Sequence, residues 1–284
     1  MKKLICIALI AGWGHCFAQK HSNDLTEKSH VSKQFTVHAN STLALYNVFG
    51  PIKVEGYSGS QVEIEVDQTI EADNSEAMAQ AKREFKLGFD QKADSVIAYT
   101  AEPYDTRPHQ RWDDHHNREQ HYIVRLNYTV KVPTSMNLRV STVNDGDINI
   151  RDVHGALNVN NVNGAISIAN AKGTTDAHTI NGDLTVTYLA SPPDASNYYT
   201  LNGKLEVVYP QSFAGDVQFK SMNGEFFTDF NDTQTLPTEV VKSTDKHANG
   251  TTYKLNKNTK IRIGAGGKTF KFETLNGNIY IKKA

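Results

Sequence analysis

The sequence predicts an all-β chain wound as a single β-solenoid, like a parallel β-helix or β-roll. Each coil would hold two nine-residue strand-turn units, and a small helix-plus-strand insertion would lie near the N-terminus. Three observations carry this reading. Glycine stands at positions 146, 155, 164, 173 and 182, nine residues apart each time. Apolar residues recur two and four places after these glycines, as Ile148 and Ile150, Leu157 and Val159, Ile166 and Ile168, Leu184 and Val186. Asparagine or aspartate precedes the glycine only at alternate corners.

Alternation at period two is a strand with one buried face, and a glycine between two such runs marks a corner where positive φ is expected. A third apolar residue follows seven places after each glycine: Val153, Val162, Ala171, Ile180 and Leu189. The structural corners are Asn163-Gly164, Asn181-Gly182, Asn202-Gly203, Asn223-Gly224 and Asn276-Gly277, with Asp145-Gly146 as a variant. His154-Gly155 and Lys172-Gly173 lie between them without asparagine. One coil is therefore two units, 18 to 21 residues, within the size range of solenoid repeats.

An antiparallel meander is the rival, because Asn-Gly between alternating apolar runs is also a strong hairpin signal. A meander needs that chemistry at every turn, and here it comes at every second one. Coils stacked about 4.8 Å apart would place asparagine over asparagine, where the amides can bond in a ladder.

The first residues, "MKKLICIALIAGWGHCFAQK", read as a secretory signal over residues 1–18: two lysines, an apolar run too short to span a bilayer, and small residues before the cut. The context of Cys16 does not suit lipid attachment. Both cysteines fall inside this segment, so the exported chain would have no disulfide. Residues 19–34 read as a polar linker and residues 35–284 as the solenoid domain. Without Lys2 and Lys3 the chain carries 28 basic against 31 acidic side chains, with no basic face, so nucleic acid is excluded as a partner. No later apolar segment is long enough to cross a membrane, so the mature chain is expected to have no span.

An early coil, "YNVFGPIKVEGYSGSQVEIEV", precedes the insertion at residues 71–133. There, Asp73 and Glu76 form a candidate helix-capping pair, with Met78, Ala81 and Phe85 at helical spacing. "HYIVRLNYTVKV" alternates as one long strand, stopped by Pro133. The insertion is expected to cap or flank the solenoid's N-terminal end. Later, Asn249-Gly250 marks an excursion hairpin, and "IRIGAGGKTFKFETLNGNIYIKK" returns to strand, glycine corner and strand.

Candidate chemistry is sparse. His109, His115, His116 and His121 lie among Asp113, Asp114 and Glu119, and imidazoles with carboxylates are zinc ligands. Their spacing fits neither a helical His pair nor a finger, so the segment reads as a solvated loop and no metal is assigned. Calcium rolls need Gly-Gly-x-Gly-x-Asp in successive turns, and only Asp145-Gly146-Asp147 approaches that. A carbohydrate-active solenoid would need grouped carboxylates. Asp147, Asp183 and Glu225 follow corners, and Asp147 and Asp183 would stand about 9.6 Å apart, within the range of an inverting pair. No serine-nucleophile motif is present, His154 and His178 read as solvated positions, and no catalytic residue or cofactor is assigned. Outward positions Asn149, Arg151, Asn158, Asn160, Ser167, Thr185 and Thr187 are expected to form one flat polar face.

"VKVPTSMNLRVSTVNDGDINIRDVHG", the serial Asn-Gly coils and the closing "IRIGAGGKTFKFETLNGNIYIKK" resemble the bacterial putative adhesin domain family of unknown function, the DUF4097 type. The resemblance runs from about Leu43 to the C-terminus. The chain departs from the pattern in writing Asn-Asp-Gly at 144–146 and in showing no membrane tether. The resemblance implies a β-solenoid with a surface or envelope role and carries over no catalytic residue. The expected function is that of a non-catalytic, exported protein of the periplasm or cell surface, with an interaction or structural role. Its partner would be an envelope or surface protein or a glycan. A lyase or hydrolase with a dispersed acidic site is the alternative.

Overall fold

The computed structural model describes residues 25–108, 121–247 and 250–284. They form an all-β fold with one short helix and two mixed sheets, neither closed into a barrel. The segment expected to be a signal, residues 1–18, lies outside the described residues.

Between residues 137 and 228, successive strands fall alternately into the two sheets. In the first sheet, β9 (Ile148–Arg151), β11 (Ile166–Ala171), β13 (Leu184–Tyr188) and β15 (Leu205–Tyr209) lie side by side and parallel, with Ile148, Ile166, Leu184 and Leu205 in register. In the second sheet, β8 (Asn137–Ser141), β10 (Leu157–Asn160), β12 (Thr175–Asn181) and β14 (Asn197–Asn202) do the same. No antiparallel pair joins any of these eight strands, so the meander is not the arrangement. The residues two and four places after each glycine face one another across the space between the sheets. Ile148, Leu157, Val159, Ile166, Leu184 and Val186 are all 2 % exposed or less, within one continuous core.

The third apolar position is not uniform, and Leu189, in the phase of Val153 and Ala171, is 55% exposed. Val153 and Ala171, before Gly155 and Gly173, are buried. Ile180 is exposed and Val162 half-buried, because at the asparagine corners the residue just before each turns inward instead.

The ends do not follow chain order. β20 (Thr269–Asn276) and β21 (Ile279–Lys283) lie between β14 and β15 on one side and β16 (Gly215–Asn223) and β17 (Phe226–Thr228) on the other. The last strands of the chain are thus interior. Their side chains suit the place: Phe270, Phe272, Ile279 and Ile281 are buried, whereas Phe226 is half-buried and Phe227 exposed at the rim. Beyond β16 the second sheet continues into an antiparallel pair, β18 (Thr233–His247) and β19 (Gly250–Ile263).

At the other end, the insertion extends both sheets. β6 (Ser95–Glu102) pairs parallel with β2 (Thr42–Tyr46), and β7 (Tyr122–Pro133) pairs parallel with β3 (Ile52–Tyr57). Antiparallel strands finish the sheets: β5 (Lys86–Gln91) on β6, and β4 (Gln61–Ala72) on β7. Residues 25–34, read as linker, belong to a strand, β1 (Leu25–Thr36), paired antiparallel with β4. β1 is exposed along most of its length, so its sequence lacks the alternation that marks a strand.

Helix α1 (Ser75–Glu84) is capped by Asn74, whose side chain accepts from the Ala77 N–H at 2.9 Å, and not by Asp73. Asp73 instead pairs with His121. Ala77, Met78 and Ala81 are buried against β4 and β7.

Candidate binding face and its corner ladder

Parallel register brings the asparagine corners into one column. Asn163 Nδ2 donates to Asn144 Oδ1, Asn181 to Asn163 and Asn202 to Asn181, each at 2.8 Å. The column continues with Asn276 donating to Asn202 at 2.6 Å and Asn223 to Asn276 at 2.7 Å. Six amides form an unbroken chain in which each inner residue gives one bond and takes one. A second column follows directly after the glycines, where Asp147 Oδ1 accepts from the Ala165 N–H and Asp183 Oδ1 from the Lys204 N–H, both at 2.8 Å.

The glycines are required for a reason other than the expected one. Gly146, Gly164, Gly182, Gly203 and Gly224 do not have left-handed φ. A Cβ on Gly182 would stand 2.3 Å from the Gly164 carbonyl oxygen, and one on Gly203 would stand 2.1 Å from that of Gly182. Close approach of one corner to the next excludes any side chain there. Positive φ falls instead on Asp145, Asp152 and Asn170, and on glycine itself at Gly50 (+111°) and Gly277 (+159°).

These carbonyls are also held from inside. Asn161 donates to the Gly146 oxygen at 3.0 Å, Thr179 to that of Gly164 and Thr200 to that of Gly182, both at 2.8 Å, and Ser221 to that of Gly277 at 3.2 Å. Sequence reasoning missed this column, although its signal is present as a small polar residue three places before glycine in Asn161, Thr179, Thr200, Ser221 and Thr274. Thr274 is the exception in bonding, since its buried hydroxyl has no partner among the described residues.

The expected single polar face is two faces on opposite sides of the core. Asn149, Arg151, Ser167, Thr185 and Thr187 belong to the first sheet, and Asn158 and Asn160 to the second. On the second sheet two outward columns run across β8, β10, β12 and β14 in register: Arg139, Asn158, Asp176, Asn197, and beside it Ser141, Asn160, His178, Tyr199. Side chains within this surface are cross-linked. His178 Nε2 lies 2.7 Å from Asp176 Oδ1, Asn160 donates to Asn158 at 3.0 Å, and the His178 and Tyr199 rings are 5.8 Å apart. The Arg139 side chain makes no hydrogen bond or ion pair among the described residues. A shallow cleft of about 590 Å³ opens here, lined by Arg139, Asn158, Asp176 and Asn197 and bordered by Asp194 and Ala195. Arg139 and Tyr199 were absent from the expected face, because neither follows a corner in the nine-residue count.

Of the histidine group, His109, His115 and His116 lie outside the described residues, and His121 Nδ1 is 3.1 Å from Asp73 Oδ2. Among the described residues, no group of three or more metal-ligating side chains comes together. Asp145 is engaged by Arg125 and Asp147 by the next corner. Asp147 and Asp183 stand two strands apart in the same column, each with an oxygen committed to a backbone N–H. Burial pushes His154 below the ordinary imidazole value, with the Lys172 charge adding to the effect. No helix among the described residues is long and apolar enough to cross a membrane.

No family model matches the chain, and no curated protein does. Among solved structures, a "putative cell adhesion protein" from Clostridium sporogenes is similar at 10% identity and a TM-score of 0.43, over 91% of this chain and 100% of that one. A "putative adhesin" from Bacteroides fragilis is similar at 10% identity and 0.33, over 90% and 97%. Another from Parabacteroides merdae is similar at 7% identity and 0.29, over 90% and 96%. Likenesses of this size carry no argument about what the chain does.

Proposed function

We propose that the chain is a non-catalytic, exported protein of the envelope or cell surface. In this reading the parallel stack is a β-solenoid, and the outer face of its second sheet holds an extended glycan or protein segment. The observation that carries it is the pair of outward columns from Arg139 to Asn197 and from Ser141 to Tyr199, in strict register across four strands. Neighbouring strands are about 4.8 Å apart, so three amides stand on a flat surface with one guanidinium, one carboxylate, one imidazole and one phenol at that spacing. An elongated ligand can meet such a surface by many weak contacts, with the tyrosine ring as a stacking platform. The corner ladder keeps the spacing fixed, so little ordering cost falls on the protein. Export is supported by the three-part layout of residues 1–18.

The test takes the chain without residues 1–18 and a panel of acidic and neutral polysaccharides, alongside an envelope extract. Retention of one class without shortening of its chains is expected, together with its loss in an Arg139→Ala, His178→Ala, Tyr199→Ala triple variant. Chain cleavage would overturn the non-catalytic reading, and retention unchanged in the variant would remove the ligand from this face. Protease shaving of intact cells separates surface from periplasm.

A further inference from the structure

We infer that a second site, at the N-terminal end of the stack and lined by none of the residues of the proposed face, binds a single uncharged aromatic ring. The strand pairing creates the space. β7 overruns its parallel partner: β3 covers only Tyr128–Pro133, while Tyr122–Asn127 have β4 as their only strand partner, with Leu126 N–H donating to the Phe49 carbonyl at 2.9 Å at the corner. Opposite, β6 stays in register with β2 only as far as Tyr99 beside Tyr46, and the chain then turns away through Glu102 and Pro103. The facing strands part, and a cavity of about 180 Å³ remains between β7, the corner at Asn47–Phe49, the end of α1 and the 103–104 segment.

The lining sets the chemistry. Four rings, Phe49, Phe85, Tyr104 and Tyr122, wall the cavity with aliphatic side chains and Thr100 between them, and among the described residues no acidic or basic side chain lines it. The Asn47 side-chain NH2 is already spent on the carbonyls of Phe49, Gly50 and Leu126, at 3.1, 3.0 and 3.0 Å. The Tyr122 hydroxyl is 3.1 Å from Glu84. A charged or strongly polar guest would lose its water without compensation. An aromatic guest gains edge-to-face and stacked contacts with the walls. The size agrees, since apolar cavities of about 150 Å³ take up benzene. Ile123, 38% exposed at the rim, leaves a way in.

Toluene is the probe, followed by methyl and aromatic NMR on the intact chain. Saturable shifts are expected at Ile123 and Val124, with a dissociation constant on the order of 1 mM. Intermolecular Overhauser effects should run from the toluene methyl to the Tyr122 and Phe85 rings. Val124→Phe, which fills the space, should abolish both. If that variant does not fold, the Overhauser contacts in the unmodified chain decide alone. Absence of saturation, contacts elsewhere, shifts that persist in folded Val124→Phe, or octanoate binding in place of toluene would each overturn the assignment.

Discussion

Asn276 donates its side-chain amide to Asn202, 74 residues earlier, and accepts the amide of Asn223. The last asparagine corner of the chain therefore sits between two earlier ones, and the ladder is continuous in space although not in sequence. Its inner members each make two side-chain bonds and its end members one. With a net worth of about 1 kcal/mol per bond, Asn181→Ala should lower the unfolding free energy by about 1–2 kcal/mol, and Asn223→Ala by about half as much. Urea denaturation of the two variants checks this. Equal losses would mean that the ladder contributes nothing beyond each corner's own turn.

The glycine column yields a sharper contrast. Were left-handed backbone the reason for glycine at 182, asparagine would be the best-tolerated replacement there, because it enters that region more readily than alanine. The cause is the 2.3 Å approach to the Gly164 oxygen, which any Cβ meets. Gly182→Asn should accordingly destabilise the protein no less than Gly182→Ala, each by at least about 2 kcal/mol. A milder effect of asparagine in thermal unfolding would restore the conformational explanation.

β1 should loosen at alkaline pH. His30 lies 2.8 Å from Asp67 and 2.6 Å from Glu65 on the neighbouring strand. Hydrogen bonding to Asp67, then to Glu65, raises its pKa above the ordinary 6.5. A raised folded-state pKa means that the contribution to stability is fully present below pH 6.5 and is lost as pH rises through the folded value. Glu65 is lowered, first by the Ser32 hydroxyl, so its contribution holds above its ordinary 4.5 and is lost as pH falls through its folded value. Amide exchange in Leu25–Thr36, corrected for intrinsic rate, should therefore be slowest between those limits. His30→Gln should abolish the alkaline loosening, and an unchanged profile in that variant would detach it from the imidazole.

Much of this architecture is written locally. The nine-residue clock places strands and corners because burial at period two and the side-chain-free corner are both nearest-neighbour demands. Spatial order is not local. The corners ending at Asn202, Asn223 and Asn276 carry the same Asn-Gly pair and fit one another in any sequence, so nothing in the motif says which is interior. The better-filled pair, with Phe270, Phe272, Ile279 and Ile281, takes that place by burying more apolar surface. β1 escaped notice for the opposite reason, since a strand with only Val31 and Phe35 half-buried offers too little alternation to read. The proposed face was only partly legible: Asn158 and Asn160 follow a corner, but Arg139 and Tyr199 reach them only through pairing.

Interior placement of the C-terminal strands makes removal of residues 265–284 more than a trimming of the end. β16 pairs with β20 and β17 with β21, while β14 and β15 meet the same two strands from the other side. Deletion would strip β17 of its pairing and leave β16 with β19 alone. It would also expose the ring cluster in which Tyr209 stacks on Phe213 at 3.9 Å and Phe213 meets Phe270 at 5.1 Å. The expected outcome is loss of amide-exchange protection throughout residues 215–263, with protection kept across β8 to β13, because each parallel neighbour there is untouched. Fraying confined to β15 and its contacts would show that residues 215–263 hold together without the last strands. Collapse of the entire chain would show that the stack folds as one cooperative unit from end to end.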